Sequence, residues 1–288
     1  MLSRIQSSDQ QISINGVRMS GVQSFSLSNA RQSEIVNNLG FLARPVNILS
    51  PEQTSESTIE FQLPYDASGI SSDPFFDIQS SGILSVEKFT LSSIDLAGET
   101  VVSGAYLTNY SVSCAVGEPV IGSVSYEGEP AIFNTGSFLV QEDQTDDNYK
   151  LFRPSNIFIY PDFSEGVGTS GHCIQNFSLS LPIERNAITS LSQSVPKIRY
   201  PAIPIFGELS MSVIKKKLDE IDMTNIVVPT GSFAIDLCDR ENNTLIRYSV
   251  SGCYLESFSS DTSLDENIVI DFSYKFPLSN TTFFREAF

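Results

Sequence analysis

Tryptophan is absent from the 288 residues, and histidine occurs once, at His172. The missing tryptophan removes the widest aromatic platforms on which sugars stack. The single histidine, with no ligand spacing around it, gives no support to a zinc site. The four cysteines, Cys114, Cys173, Cys238 and Cys253, form no CxxC and no close pair. Residues 1–20 carry no apolar stretch after their charges, so the expectation is a chain without an export signal and with reduced, mostly buried thiols. Charge is sparse at 18%, below the usual quarter, and basic charge is sparser still: 17 Lys and Arg stand against 34 Asp and Glu, a net of −17. Such a field repels nucleic acid at long range, and tight DNA binding needs a basic stripe that displaces counterions. The run Lys215, Lys216, Lys217 is followed at once by Asp219, Glu220 and Asp222, and reads as a solvated surface segment. No apolar run reaches the length of a membrane-crossing helix, so no membrane partner is expected.

Hydrophobic residues make up 41% of the chain, enough for two cores at this length, and Ser, Thr, Asn and Gln fill the place of the missing charges. That balance points to a mainly β protein with uncharged polar faces. The chain also repeats itself. GVQSFSLS at 21–28 matches CIQNFSLS at 173–180, and Gln23, Phe25, Leu27, Leu39 and Glu56 each have a counterpart 152 residues on, at Gln175, Phe177, Leu179, Leu191 and Glu208. A second window repeats at a spacing of 148: SGAYL at 103–107 against SGCYL at 251–255, Tyr110 against Phe258, Glu118 against Glu266, Val120 against Ile268 and Tyr126 against Tyr274. Two windows in the same order indicate two tandem copies of one unit. The boundaries drawn from this are a first unit at 1–135, an acidic linker or arm at 136–155 and a second unit at 156–288.

Period-two alternation marks the strands. Gln11–Ile14 and Val17–Met19 flank Asn15-Gly16, a type I′ hairpin signal. Val22–Ser28 and Ile174–Leu181 read as half-buried strands, as do the segments through Ile59, Phe61 and Leu63 and through Leu209, Met211 and Val213. Leu84–Leu91, Val101–Ser113, Val120–Tyr126, Ser232–Cys238, Leu245–Tyr254 and Ile268–Phe276 complete the set. A short helix is expected after the first strand of each unit, on Ile35, Val36 and Leu39 with Gly40 as its stop, and on Ile188 and Leu191 behind Pro182. Proline-marked stretches, Pro45 to Pro51 and Pro196 to Pro204, follow as long loops or edge strands.

Motifs for catalysis fail on context. Gly166, Gly168 and Gly171 spell G-x-G-x-x-G, but a strand follows where a dinucleotide site needs a helix N-terminus. His172 has no G-x-S-x-G elbow to serve and no counterpart in the first unit, where Ser20 stands; it reads as a loop histidine. QEDQTDDN at 141–148 lacks the EF-hand spacing and the closing glutamate of a calcium loop. The recurring pairs Glu56/Glu208 and Glu118/Glu266 suit a shared surface role better than a glycosidase dyad. No catalytic residue, cofactor or metal is expected.

The strand ending in F-S-L-S, the short helix after it, the long proline-bearing loop and the antiparallel strands resemble the tail tube proteins of tailed bacteriophages. Val22–Leu39 with Glu56–Phe61, Ile174–Leu191 with Glu208–Val213, and the closing segments Gly104–Leu107 and Gly252–Leu255 carry that resemblance. It implies a two-sheet β-sandwich or half-barrel core with a flanking helix in each unit, and no catalytic residues. In this family such units form six-membered rings that stack into a tube for DNA, and tandem-duplicated members supply six positions from three chains. The implied partners are further copies of the chain, other tail proteins such as the tape measure, terminator and distal tail proteins, and phage DNA passing without tight binding. The implied location is the virion tail, assembled in the host cytoplasm. Glu60, Glu87, Asp236 and Asp271 are the expected acidic lumen positions. Arg44, Pro45, Pro51, Arg199, Pro201 and Pro204, on the loops at 44–55 and 199–207, are the expected contacts with a neighbouring ring. The alternatives are a single-ring tail component of the same fold (distal tail, terminator or baseplate protein), a two-domain β-sandwich for carbohydrate binding or adhesion, and, last, a hydrolase on a double β scaffold.

Overall fold

The computed structural model describes residues 11–19, 21–37, 45–65, 84, 86–95, 98–135, 150–160, 172–190, 195–215, 231–261 and 268–287. In chain order its strands are β1 (Gln11–Ile14), β2 (Val17–Arg18), β3 (Val22–Asn37), β4 (Pro45–Gln62), β5 (Pro64–Tyr65), β6 (Phe89–Ile94), β7 (Gly98–Ala115), β8 (Ile121–Gly128), β9 (Ile132–Thr135) and β10 (Lys150–Leu151). After a 3₁₀ turn at Pro154–Asn156 come β11 (Ile157–Tyr160), β12 (His172–Pro182), β13 (Arg185–Ile188), β14 (Ile198–Pro201), β15 (Phe206–Lys215), β16 (Gly231–Cys238), β17 (Thr244–Asp261), β18 (Ile268–Pro277) and β19 (Phe283–Ala287). The Asn15-Gly16 hairpin forms as its sequence requires. Both residues take positive φ, and Ile14 faces Val17 across the turn.

Every pairing in the sheets is antiparallel, and eight strands run edge to edge in the order β3-β4-β8-β7-β12-β15-β18-β17. The first four belong to the first half of the chain and the last four to the second. Their registers coincide at the spacings read from the sequence. Phe25 faces Ile59, and 152 residues on Phe177 faces Met211. Ser57 faces Tyr126 as Leu209 faces Tyr274. Leu107 faces Tyr126 just before a bulge, and Leu255 faces Tyr274 just before another. The β7–β12 ladder, Asn109–Ala115 against Asn176–Pro182, is the seam that joins the halves.

A second layer covers one face of these eight strands. The long strands β7 and β17 turn into it: Gly98–Ala105 pairs with β6 and β9, and Thr244–Cys253 with β16 and β19. The turning points are Gly104 and Gly252, at φ +59° and +73°. An L side chain is strained there, which explains the glycine of both G-x-Y-L segments. The layers meet through matched aromatic pairs. Phe89 packs on Tyr126 with ring centroids 5.5 Å apart, and Phe233 packs on Tyr274 at 4.8 Å. Burying each of the two phenylalanine rings contributes about 1.5–3 kcal/mol. At the seam the halves share one core, where the buried hydroxyls of Tyr110 and Tyr248 hydrogen-bond at 2.8 Å.

The expected flanking helices are corrected. Residues 29–37 extend β3 and pair with β4, and 185–188 form β13, paired with β14. Ile35, Val36 and Ile188 are β-branched residues that lose side-chain freedom in a helix, and one short apolar stripe does not outweigh a paired strand. Leu39, Gly40 and Leu191 lie outside the described residues. Among those described there is no α-helix. Of the proline-marked stretches, expected as long loops or edge strands, Pro45 and Pro51 lie in the part of β4 paired only with β3 and Pro201 ends β14, whereas Pro196 and Pro204 lie in no strand. His172 is the first residue of β12 and not a loop residue. Most of the expected linker lies outside the described residues. Its end does not hang free, since Lys150 and Leu151 pair with β5 and Phe152 is buried.

Candidate functional site

Among the described residues the eight-strand sheet buries one face under the second layer and leaves the other uncovered, and alternation decides what each face holds. In F-S-L-S, S-V-S-C, S-V-S-Y, S-L-S-L and S-M-S-V the apolar residues turn inward, so serines line the open face. Ser113, Ser178, Ser210, Ser273 and Ser257 stand side by side across β7, β12, β15, β18 and β17. The adjacent row runs Ser24, Glu60, Ser123, Ser111, Ser180, Glu208, Lys275, Tyr254. Hydroxyls both donate and accept, so the serine positions satisfy one another and water, and Glu60, Glu208 and Lys275 are the charged residues of the second row. Thr58 and Ser125, for example, bond across strands at 3.1 Å.

Two of the four acidic candidates lie on this face at matching places. Glu60 on β4 stands opposite Ser123 on β8 and accepts a bond from Ser24 at 2.9 Å. In the second half the roles are exchanged between strands: Ser212, 152 residues after Glu60, stands opposite Asp271, 148 after Ser123, and donates to it. Each half therefore sets one carboxylate on the open face through a serine. Lys275 on the same face is held by Glu256 at 2.5 Å and Glu208 at 3.9 Å. The other two candidates are elsewhere. Glu87 is exposed before β6. Asp236 is only 3% exposed, in the second layer, where both its oxygens are bound by Arg247 at 2.6 and 2.5 Å. That pairing drives the Arg247 guanidinium still further above its ordinary value.

The proposed contact loops divide in the same way. Arg44 lies outside the described residues. Pro45 and Pro51 are on β4, and Pro204 is exposed behind a cis Ile203–Pro204 bond. Arg199 and Pro201 sit on the β13–β14 hairpin, which folds back on the first half. Arg199 is buried and binds Glu127 at 2.9 Å, and Pro201 is half-buried. Arg185 of the same hairpin lies 5.4 Å from the Tyr106 ring centroid and donates to the Leu107 carbonyl at 2.7 Å. Burial lowers its pKa to about 10. Arg199 is thus an internal clamp between the halves, because burial of a guanidinium demands a partner, and Glu127 is within reach.

The sheet ends in two edges with no strand partner among the described residues, β3 and the Tyr254–Asp261 part of β17. Side chains at these edges are more exposed than their counterparts at the seam. Phe258 is 50% exposed while Tyr110, its counterpart, is 0%. Phe25 and Leu27 are half-buried while Phe177 and Leu179 are buried. Sequence reasoning did not say which strands form these edges, and it missed the serine rows, although the period-two serines carried the signal for the rows.

Among the described residues no three His, Cys, Asp or Glu residues are placed to hold a metal, and no helix is long and apolar enough to cross a membrane, which says nothing of strands. Cys114, Cys238 and Cys253 are free and buried, and burial pushes the Cys114 and Cys253 thiols up to about 11, away from nucleophilic reactivity. A cavity of about 70 Å³ at the end of the seam, lined by Cys114, Ile157, Ile174 and Phe177 among others, is small beside the roughly 300–1,000 Å³ of ligand pockets. No protein-family model matches the chain, and no curated protein matches its sequence.

Proposed function

We propose that this chain is the structural subunit of a phage tail tube. In this reading residues 1–135 and 156–288 are tandem copies of one tail-tube-like unit. Three chains close a ring of pseudo-sixfold symmetry, and rings stack into a hollow conduit for DNA, with the serine-rich, acid-dotted face towards the lumen. The observation that carries the reading is the edge-to-edge seam. One half's β7 pairs with the other half's β12 in the middle of the sheet, and the outer edges, β3 and β17, are the same two strand types left open. Head-to-tail units with complementary edges either close into a ring or grow without limit, and closure removes the exposed ladders that drive aggregation. Two further features agree. Hydroxyls and carboxylates offer phosphates no cationic grip, and Lys275 on this face is held by Glu256 and Glu208, so DNA slides past without counterion release. The second layer and the core lie on the other face, so the open face is free to line a bore.

Negative-stain microscopy and sedimentation of the purified protein test this. Hollow rings or rods with a ring mass of three chains are expected. Compact monomers at high concentration, with no rings under any salt condition, overturn it. Rings that never stack instead indicate a distal tail, terminator or baseplate ring of the same architecture.

A further inference from the structure

The seam inside the chain supplies a template for the joint between chains. We propose, resting on the ring reading above, that β17 of one copy pairs antiparallel with β3 of the next in the register of the β7–β12 seam, and that Phe258 seats against Phe133 of that next copy. Shifting β12 back by 152 and β7 forward by 148 turns the Ser180–Ser111 pair into Ser28 opposite Ser259, and the Leu181–Tyr110 pair into Asn29 opposite Phe258.

Side chains fit the same operation. At the seam, Tyr110 is capped by the second half's outer layer: Tyr248 bonds its hydroxyl, and Arg285, opposite Tyr248 on β19, lies 5.9 Å from the Tyr248 ring centroid. The first-half counterparts of Tyr248 and Arg285 are Thr100 and Phe133, which stand opposite each other on β7 and β9. Phe133 is 56% exposed, whereas Arg285 is 2% exposed. The N–H of Ala131, just before β9, donates to Asn29 Oδ1 at 3.2 Å, which sets the start of β9 beside the residue that would face Phe258. So a phenylalanine replaces tyrosine at one edge, and a phenylalanine replaces arginine at the other. The polar lock within the chain becomes an apolar lock between chains. Two large apolar groups left exposed at opposite edges, each where the seam has a buried counterpart, are each other's cover.

The experiment uses the full chain. Ser28→Cys with Ser259→Cys, under mild oxidation, is expected to give covalent multimers on a denaturing gel. The off-register pair Ser28→Cys with Ser257→Cys, and the unaltered chain with its own cysteines, should give none. Phe258→Asp is expected to raise the concentration needed for ring formation by about tenfold or more while leaving the monomer's thermal unfolding unchanged, and Phe133→Arg on that background should recover most of the loss. Rings without the in-register cross-link, or rings indifferent to Phe258→Asp, overturn this joint while leaving the ring reading intact. Absence of rings in the unaltered protein overturns both.

Discussion

Asp236 shows how pairing decides what a carboxylate does. Its charge sits in the second layer at 3% exposure, held by two short bonds from Arg247 and approached by Thr244 Oγ1 at 3.5 Å. The arginine reaches it from the adjacent strand, where register sets the two residues opposite each other. Removing one partner of such a pair leaves an uncompensated buried charge, the costly case for an ion pair. Because the Arg247 side chain is itself 39% exposed and water screens the pair, Arg247→Ala should destabilise the protein by about 1–3 kcal/mol, measured by urea denaturation at neutral pH. Asp236→Asn in the same background should return part of that loss, because it removes the stranded charge. The sequence offered Asp236 and Glu60 as equivalent acidic strand positions. Only the layer each strand belongs to separates them, and that depends on pairings between distant segments.

At the scale of elements, most strands were legible from alternation, and the two spacings fixed which strands correspond. Counting along those spacings carries the register of one half onto the other. The flanking segments were less legible. Three apolar residues at i, i+1 and i+4 satisfy a helical stripe and a strand edge almost equally, and the decision fell to the partner strands β4 and β14. The G-x-Y-L segments carried a clear signal whose cause lies in geometry: each glycine is where a long strand leaves one layer for the other. Gly252→Ala meets only Pro277 at 3.5 Å or more, so its cost is that of the left-handed backbone alone, about 1–2 kcal/mol. Gly104→Ala adds a collision with the Glu129 side chain at 2.7 Å and should cost more unless that side chain swings away. Thermal unfolding of the two variants side by side checks the order.

For the molecule as a whole, composition spoke correctly to a mainly β architecture with uncharged polar faces. The open face could not be located from composition, because which serines share a row depends on ladders that join residues far apart, such as Ser113 and Ser178 across the seam. That seam also bears on how the chain responds to a protease. Seven consecutive residue pairs of β7 and β12, the Tyr110–Tyr248 bond and the Arg199–Glu127 clamp bind the halves without help from the covalent connection. A single cut between Thr135 and Lys150 should therefore yield two fragments on a denaturing gel but one particle on a sizing column, whereas separate elution of the fragments would mean that the tether, and not the seam, had kept them together.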